Sequence, residues 1–400
     1  MGHSEMGEFK ADVLVIGAGL TGSVIARQLA EAGKCVRVWD RRSHIAGNMY
    51  DCRDEHGILV QKYGPHTFHT KEKELYDYMC RFEEWIPYRL HCGAKIDGYF
   101  TPTPFNFKTI DQLYAPKDAE RLKEHIEKAF QGRKTATVVE VMESSDELVR
   151  AYGRLLFEKD YSLYTAKQWG IPPEQVDPSI LRRVPLRFSY EEGYFGDAYQ
   201  VMPRHSFTSF FEHLLSHENI RVELGVEALD HLTVSPDGDA LLLDGVPCPM
   251  LVVYTGALDE LFQRDQGALP YRSLRFEWKY EDCEEIQPYP VTAYPDAEGY
   301  TRITEYKKLP VQKVQGTMYA VEYPLMYHAG KKQEPYYPLL TEESKKASER
   351  YKRRAARVKR LYPCGRLADF KYYDMDQALK RALEVARAIQ EGKETYVSRE

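Results

Sequence analysis

Residues 11–22 read ADVLVIGAGLTG, an apolar run that leads into three glycines at Gly17, Gly19 and Gly22. The apolar run fits a buried parallel strand, and the glycines allow a tight turn with close approach of a pyrophosphate. An amphipathic helix and a second strand follow, and that strand ends in Asp40. A carboxylate at this place is expected to hold a ribose hydroxyl. This order of elements predicts a dinucleotide-binding βαβ unit.

The composition sets broad limits on the protein class. The chain has 400 residues and a formal charge of −6, so we expect two or three domains and no nucleic-acid partner. Its seven cysteines form no CxxC pair, which suits a reducing compartment. The basic run 345–360 is interpreted as a solvated helix face. No leader and no apolar run near eighteen residues is found, so we expect a cytoplasmic protein without membrane contact.

The rest of the chain alternates between helix and strand patterns. A helix is predicted over 71–85, a hairpin that turns at Asp97-Gly98 follows, and 111–181 reads as helices. Strand-like runs then predict an antiparallel sheet; they lie at 220–224, 240–243, 250–254, 273–280 and 317–323.

Two further glycine turns favour FAD over a nicotinamide cofactor. Gly47-Asn48 follows Asp40 closely, and Gly365-Arg366 precedes a helix that starts near Asp374. Proteins that hold extended FAD through two distant stretches share this arrangement, which is a fold-level analogy. We therefore predict an α/β protein with a Rossmann-like FAD-binding domain, a helical insertion and an antiparallel sheet domain. The predicted bounds are 1–80 with 200–260 and 341–400 for the discontinuous FAD-binding domain, 81–185 for the insertion with a mobile substrate loop, and 186–199 with 261–340 for the sheet domain.

Several ordered blocks resemble the bacterial, flavin-dependent UDP-galactopyranose mutases over nearly the full length of the chain. Beside the three glycine turns, the blocks are YGPHTFHT at 63–70, YTAKQWG at 164–170, SILRRVP at 179–185, GYF at 193–195, YTRITE at 300–305, PYYP at 335–338 and YYDMD at 372–376.

The resemblance implies that reduced FAD acts as a nucleophile rather than as an electron carrier. In that chemistry flavin N5 attacks the anomeric carbon of a nucleotide-diphosphate sugar, and the resulting adduct lets the ring change between pyranose and furanose without net oxidation. The most direct expectation is conversion of UDP-galactopyranose to UDP-galactofuranose for cell-wall or surface polysaccharide. An external reductant (NADPH, NADH or a flavin reductase) and a homo-oligomer are expected.

The candidate site residues follow from the same blocks. Guanidinium groups hold diphosphates through charge-assisted, often bidentate hydrogen bonds. By resemblance the catalytic residues are Arg183, Arg302, His66 and His69. The expected substrate-binding residues are Tyr164, Trp169, Tyr194, Tyr337, Tyr372, Asp374, Asn106 and Phe195. The expected cofactor-binding residues are Gly17, Gly19, Leu20, Thr21, Gly22, Asp40, Arg41, Gly47, Asn48, Tyr254, Gly256, Gly365, Arg366, Asp374 and Met375. No third ligand is spaced to join His66 and His69, so no metal site is predicted.

Some blocks depart from the family pattern and leave alternatives open. Two adjacent aromatics before Tyr164 are replaced here by Asp160-Tyr161, a common Asn is Ala293, and 103–107 also differs. One alternative is the same chemistry on UDP-N-acetylgalactosamine or dTDP-fucose. Another is an FAD oxidoreductase with net redox chemistry, and a third is a protein that binds nucleotide sugars without turnover.

Overall fold

The computed structural model describes residues 9–393, except 171, 173, 175–180, 182–184 and 332. The α-helices are α1 (Leu20–Glu31), α2 (Lys73–Cys80), α3 (Phe107–Leu113), α4 (Pro116–Phe130), α5 (Val138–Met142), α6 (Glu147–Leu156), α7 (Ser162–Trp169), α8 (Phe207–Leu215), α9 (Leu258–Leu261), α10 (Glu342–Ala355) and α11 (Met375–Gln390). One turn of π-helix, Phe157–Tyr161, joins α6 to α7.

The strands are short apart from two long ones in the second half of the chain. They are β1 (Val13–Ile16), β2 (Val36–Asp40), β3 (Asp51–Arg53), β4 (Leu59–Gln61), β5 (Phe68–Thr70), β6 (Trp85–Pro87), β7 (Cys92–Ile96), β8 (Tyr99–Thr103), β9 (Thr135–Thr137), β10 (Pro185–Arg187), β11 (Tyr199–Pro203), β12 (Ile220–Leu224), β13 (Leu232–Val234), β14 (Leu241–Leu243), β15 (Val246–Pro247), β16 (Leu251–Tyr254), β17 (Tyr271–Glu281), β18 (Val291–Ala293), β19 (Arg302–Glu305), β20 (Thr317–Met326), β21 (Tyr337–Pro338) and β22 (Leu361–Pro363).

A five-stranded parallel sheet carries the nucleotide-binding unit, in the order β12-β2-β1-β16-β22. Its strands come from distant parts of the chain, and their carboxyl ends meet at one edge. The prediction that 220–224 and 250–254 form antiparallel strands is wrong, because both pair in parallel here. A short apolar run indicates a strand but carries no information on the direction of its partner.

Helices α1 and α11 pack together against this sheet. Val24, Ile25 and Leu29 of α1 and Val385 of α11 are fully buried in one apolar cluster. Burial of each such side chain contributes about 1.5–3 kcal/mol. The two ends of the chain are thereby held together beside the first glycine turn.

A seven-stranded sheet, in the order β21-β17-β20-β19-β18-β7-β8, forms the second layer. The β7–β8 hairpin turns at Asp97 and Gly98, whose φ angles of 48° and 88° fit the predicted two-residue turn. This hairpin belongs to the large sheet, although the predicted helical insertion begins at residue 81. Conversely, β10 pairs with β9 and β11 with β5 and β6, so 186–199 contributes no strand to that sheet. The bounds of the three units remain a proposal.

The helical insertion has its own apolar cluster, which contains Leu122, Ile126, Val149 and Leu156. Asp146 caps the N-terminus of helix α6, and its carboxylate accepts hydrogen bonds from two backbone amides of the first turn. The spacing of apolar residues in α6 confirms the sequence-based prediction of a helix here. Within the described residues no helix combines the length and apolar content that a bilayer crossing requires.

Candidate active site

The first glycine turn presents bare backbone amides to a cleft at the sheet edge. Gly17 has a φ of 104°, and a Cβ there would collide with Thr255, whose hydroxyl donates to the Ile16 carbonyl over 2.7 Å. Gly19 precedes α1 and supplies no side-chain cap, so the first amides of the helix stay available. An uncapped helix N-terminus attracts anions such as a pyrophosphate.

The second glycine turn docks against the first. The Ala46 amide donates to the Ala18 carbonyl over 2.9 Å, and a Cβ on Gly47 would lie 2.9 Å from the Gly19 Cα. A side chain at Gly47 would therefore crowd the first glycine turn. This close approach is the structural observation that fits a dinucleotide such as FAD.

Asp40 has a role that the sequence prediction missed. Its Oδ2 accepts a hydrogen bond from the Ala18 amide over 2.7 Å, and its Oδ1 accepts one from the Arg42 amide over 2.8 Å. The carboxylate is 8% exposed and fastens the glycine turn to the end of β2. Each oxygen keeps a second lone pair, so the predicted contact with a ribose hydroxyl stays a proposal.

All residues predicted to bind the cofactor line one continuous cleft. They are Gly17, Gly19, Leu20, Thr21, Gly22, Asp40, Arg41, Gly47, Asn48, Tyr254, Gly256, Gly365, Arg366, Asp374 and Met375. Tyr254 is 2% exposed and its hydroxyl donates to the Ala257 carbonyl, so its own side chain supports the turn. The donor set of backbone amides, two arginines and one asparagine suits a dinucleotide.

Glu334 lines the cleft and directly precedes the PYYP block at 335–338. Sequence reasoning did not identify it as a site residue. Its Oε2 accepts from Arg41 over 2.6 Å and from Arg42 over 2.9 Å. Arg42 also donates to Asn48 and stacks its guanidinium 4.2 Å from the centre of the Tyr63 ring. The signal in the sequence was one acid directly before the matched PYYP block at 335–338.

Arg302 is held by a buried carboxylate on the neighbouring strand. Its Nε lies 2.8 Å from Glu322 Oε1, and the two residues are direct cross-strand partners between β19 and β20. The Glu322 side chain is 2% exposed, and that of Arg302 is 24% exposed. Burial alone would lower the pKa of Arg302, yet Glu322, Tyr164 and Tyr337 raise it well above its ordinary value. Arg302 is therefore a fixed cation with one face open.

Two predicted tyrosines form a stack over another arginine. The rings of Tyr337 and Tyr372 lie 5.7 Å apart, and the Arg366 guanidinium sits 5.0 and 5.3 Å from their centres. Arg366 is anchored because it donates to the Tyr373 carbonyl over 2.7 Å. Burial and the nearby carboxylate of Asp374, at the start of α11, raise the pKa of Tyr372.

Tyr164 and Tyr194 both lie near Arg302. Gln168 donates to the Tyr164 hydroxyl over 3.4 Å and accepts from Arg272 over 3.0 Å. Burial raises the pKa of Tyr194 to about 12, and Tyr164 lies close enough to contribute, as do Arg302 and Asp374. Tyr164, Tyr194 and Tyr337 thus lie near Arg302.

His69 contacts Asp197 and Phe195. Its Nδ1 lies 2.7 Å from Asp197 Oδ2, and its ring stacks on Phe195 with centroids 3.5 Å apart. Phe195 in turn meets the edge of Tyr194. No group of three metal-ligating side chains occurs in the described part of the chain.

Asn106 has a different place from the predicted one. It is 1% exposed, its Oδ1 accepts from the Lys108 amide over 2.9 Å, and its Nδ2 donates to the Glu191 carbonyl over 3.0 Å. These bonds make it the cap of α3 rather than a group free for substrate. Arg183 and the side chain of Trp169 lie outside the described residues.

His66 stays neutral in the folded protein. Its Nδ1 lies 2.9 Å from the Gly64 carbonyl oxygen, and its backbone amide donates to Gln61. Burial, together with the charges of Arg366 and Arg302, lowers its pKa to about 4. Neutral His66 therefore adds no charge to the cleft that it lines.

The lowered pKa of His66 should make the free energy of unfolding depend on pH. Because the unfolded pKa is about 6.5, the unfolded chain binds more protons than the folded one between pH 6.5 and 4. We expect stability to fall by about 3 kcal/mol across this window as the pH drops. Urea unfolding at pH 7 and pH 4 should show a smaller loss for His66→Asn than for the parent. An equal loss in both proteins would contradict this assignment.

Two protein-family models match the chain. The family model for UDP-galactopyranose mutase matches residues 159–372, and that for an NAD(P)-binding Rossmann-like domain matches residues 15–82. The predicted Rossmann-like unit is thereby confirmed. A UDP-galactopyranose mutase of Mycoplasma pneumoniae is 34% identical over 387 residues, which cover 95% of this chain and 96% of that protein. A dTDP-fucopyranose mutase of Escherichia coli is 33% identical, with 94% and 97% covered.

Solved structures share the overall architecture. A crystal structure of reduced UDP-galactopyranose mutase aligns with a TM-score of 0.65 at 15% identity and covers 96% of both chains. A putrescine oxidase aligns with a TM-score of 0.52 at 12% identity, covering 95% of this chain and 99% of that one. These low identities show the fold alone. The family model and the full-length relatives go further: the chain belongs to the UDP-galactopyranose mutase family, and it is an enzyme of the isomerase class.

Proposed function

We propose that this enzyme interconverts the pyranose and furanose forms of UDP-galactose with FAD in its reduced state. The observation that carries the proposal is the fixed Arg302–Glu322 pair, which lies near Tyr164 and Tyr337 and near His66, a residue that lines the glycine-rich cleft. A ring-interconverting enzyme must hold a diphosphate that leaves and then returns. A partly exposed, permanently charged guanidinium suits this task because it needs no proton exchange during turnover.

The residues of the chain would bind and orient rather than carry out acid–base steps. Arg302 would neutralise the diphosphate, with Arg183 as its proposed partner by resemblance. The hydroxyls of Tyr164, Tyr337 and Tyr372 would donate hydrogen bonds to phosphate oxygens. Bound reduced FAD supplies the nucleophile toward the anomeric carbon, and an external reductant such as NADPH, NADH or a flavin reductase would keep it reduced.

A second substrate, dTDP-fucopyranose, is supported by a specific observation. The dTDP-fucopyranose mutase of Escherichia coli is nearly as similar to this chain, at 33% identity, as the UDP-galactopyranose mutase of Mycoplasma pneumoniae, at 34%. The departures from the family pattern at Asp160 and Ala293 also concern substrate recognition. Reaction type and substrate therefore need separate evidence.

A substrate panel tests the proposal. Dithionite-reduced protein is incubated anaerobically with UDP-galactofuranose, dTDP-fucofuranose and the furanose form of UDP-N-acetylgalactosamine, and the products are separated by chromatography. We expect UDP-galactopyranose to form fastest, with kcat/KM at least tenfold above the other two. Faster turnover of the fucose compound would show that dTDP-fucose, not UDP-galactose, is the preferred substrate. No ring interconversion with any of the three compounds would refute the proposed function.

A further inference from the structure

A buried carboxylate, that of Asp369, binds the third glycine turn, Gly365-Arg366. Asp369 is 4% exposed, and its Oδ2 accepts a hydrogen bond from the Gly365 amide over 3.1 Å and another from the Tyr373 hydroxyl over 3.0 Å. The Asp369 amide in turn donates to the Gly365 carbonyl over 2.8 Å. Gly365 and Tyr373 line the cleft, whereas Asp369 does not. The turn is therefore closed by both the backbone and the side chain of one residue outside the cleft.

Arg381 anchors this carboxylate to helix α11. Its Nε lies 3.1 Å from Asp369 Oδ2 and its Nη2 lies 3.2 Å from Oδ1, so the contact is bidentate. The side chains of Arg381 and Asp369 are 6% and 3% exposed. Burial alone would lower the pKa of Arg381, yet Asp369 raises it above its ordinary value. Because α11 packs in the apolar cluster that contains α1, Asp369 joins the turn to the core of the nucleotide-binding unit.

Stability alone does not account for this buried ion pair. Replacement of such a pair by apolar side chains is often neutral or stabilising, because the cost of desolvation offsets the attraction. Of the hydrogen bonds that the Asp369 carboxylate accepts within the described residues, two come from Arg381 and two from residues that line the cleft. What the carboxylate adds is a fixed position for those two residues.

The two cleft-lining partners of Asp369 flank Arg366. Gly365 directly precedes Arg366 in the chain, and the Tyr373 carbonyl accepts a hydrogen bond from the Arg366 guanidinium over 2.7 Å. The same guanidinium contacts the stacked tyrosine pair of the site. Asp369 thus constrains Arg366 both at its backbone and at its side chain.

We propose that Asp369 is a positioning residue, which acts through Arg366 on the bound flavin cofactor and on the stacked tyrosines. The step to the flavin rests on the proposed function. A guanidinium whose position is set before binding loses less conformational freedom when the dinucleotide binds, so the complex is tighter. Loss of Asp369 therefore weakens retention of the cofactor even where the fold is kept.

Two double variants separate positioning from stability. Asp369→Leu with Arg381→Met removes the buried pair, and it should lower Tm less than Asp369→Leu alone because no buried charge is left unpaired. Release of flavin from the diluted, oxidised holoenzyme, followed by flavin fluorescence, should become about tenfold faster or more. Glu72→Leu with Lys380→Met removes an exposed pair at the adjacent position of α11 and should leave the release rate unchanged. The rates are compared at a temperature at which far-UV circular dichroism shows all proteins folded.

A double-mutant cycle tests whether Asp369 acts through Arg366. Arg366→Met should itself speed release, and removal of the buried pair in that background should change the rate by less than about twofold, because both changes act on the same contact. Tyr373→Phe is the milder variant, since it deletes one donor to Asp369 but keeps the ion pair and the backbone carbonyl. It should speed release about threefold in the parent and not in Arg366→Met.

The release rates decide the role of Asp369. Release at the parent rate from Tyr373→Phe and from the pair-deleted variant would overturn the inference. Effects of the pair and of Arg366 that multiply in the cycle would also overturn it, because they would show that the pair acts by general stability. A parent that retains no flavin would refute the proposed function and with it the role of Asp369. Flavin retention without ring interconversion would defeat the proposed reaction alone.

Discussion

Arg302→Ala is expected to lower kcat/KM for ring interconversion by about 10- to 100-fold or more. Hydrogen bonds to charged groups contribute about 1.5–3 kcal/mol each, and each 1.36 kcal/mol in the barrier changes the rate tenfold. The variant should also be less stable by about 3–5 kcal/mol, because it leaves Glu322, which is 2% exposed, without its cation. Anaerobic kinetics and urea unfolding measure the two effects separately.

A double variant separates catalysis from stability. Arg302→Met combined with Glu322→Met replaces the ion pair by apolar side chains, and it should recover most of the lost stability because buried pairs are often replaceable in this way. It should recover no activity. Arg302→Lys keeps the charge but loses the planar fork, so intermediate activity is expected. Activity in the double variant equal to that of the parent would refute the role of Arg302 in diphosphate binding.

Gly17→Ala is expected to abolish tight flavin binding. Gly17 has a φ of 104°, which L side chains rarely adopt, and the added Cβ would collide with Thr255. The turn would have to shift, and the shift would displace the amides that face the pyrophosphate. Flavin absorbance per protein after desalting should fall at least tenfold relative to the parent.

Gly33→Ala provides the matched control in the same βαβ unit. Gly33 also has a positive φ, at 83°, but a Cβ there would meet no atom within 4 Å. The variant should therefore show only the backbone strain, about 1 kcal/mol in stability, and keep its flavin. Equal flavin contents in Gly17→Ala and Gly33→Ala would contradict the assignment of the first glycine turn as the pyrophosphate cradle.

Local patterns explain what the sequence could predict. The first glycine turn and the Asp97-Gly98 hairpin depend on backbone angles that few residues adopt, so their residues indicate the geometry directly. The apolar spacing of α6 likewise indicates a buried helix face. The cofactor-binding residues could be placed in one cleft because they lie in these local motifs.

Features that depend on strand pairing or on tertiary contacts could not be predicted. Glu322 meets Arg302 through the register of β19 and β20, which no local pattern encodes. The sequence signal for Glu322 is a charged residue within the largely apolar strand β20. Asp40 was assigned to a ribose from its place at the end of the second strand, and Asn106 to the substrate by resemblance. Their side chains bond backbone groups that sequence reasoning had not placed nearby.

The central claim is ring interconversion that requires reduced flavin but consumes no electrons. The direct measurement is an anaerobic reaction in which flavin absorbance and furanose-to-pyranose conversion are followed together, first with oxidised and then with dithionite-reduced protein. The account predicts no product from the oxidised protein, and many turnovers from the reduced protein while its flavin stays reduced. Equal activity in both redox states, or flavin oxidation in proportion to product, would contradict it.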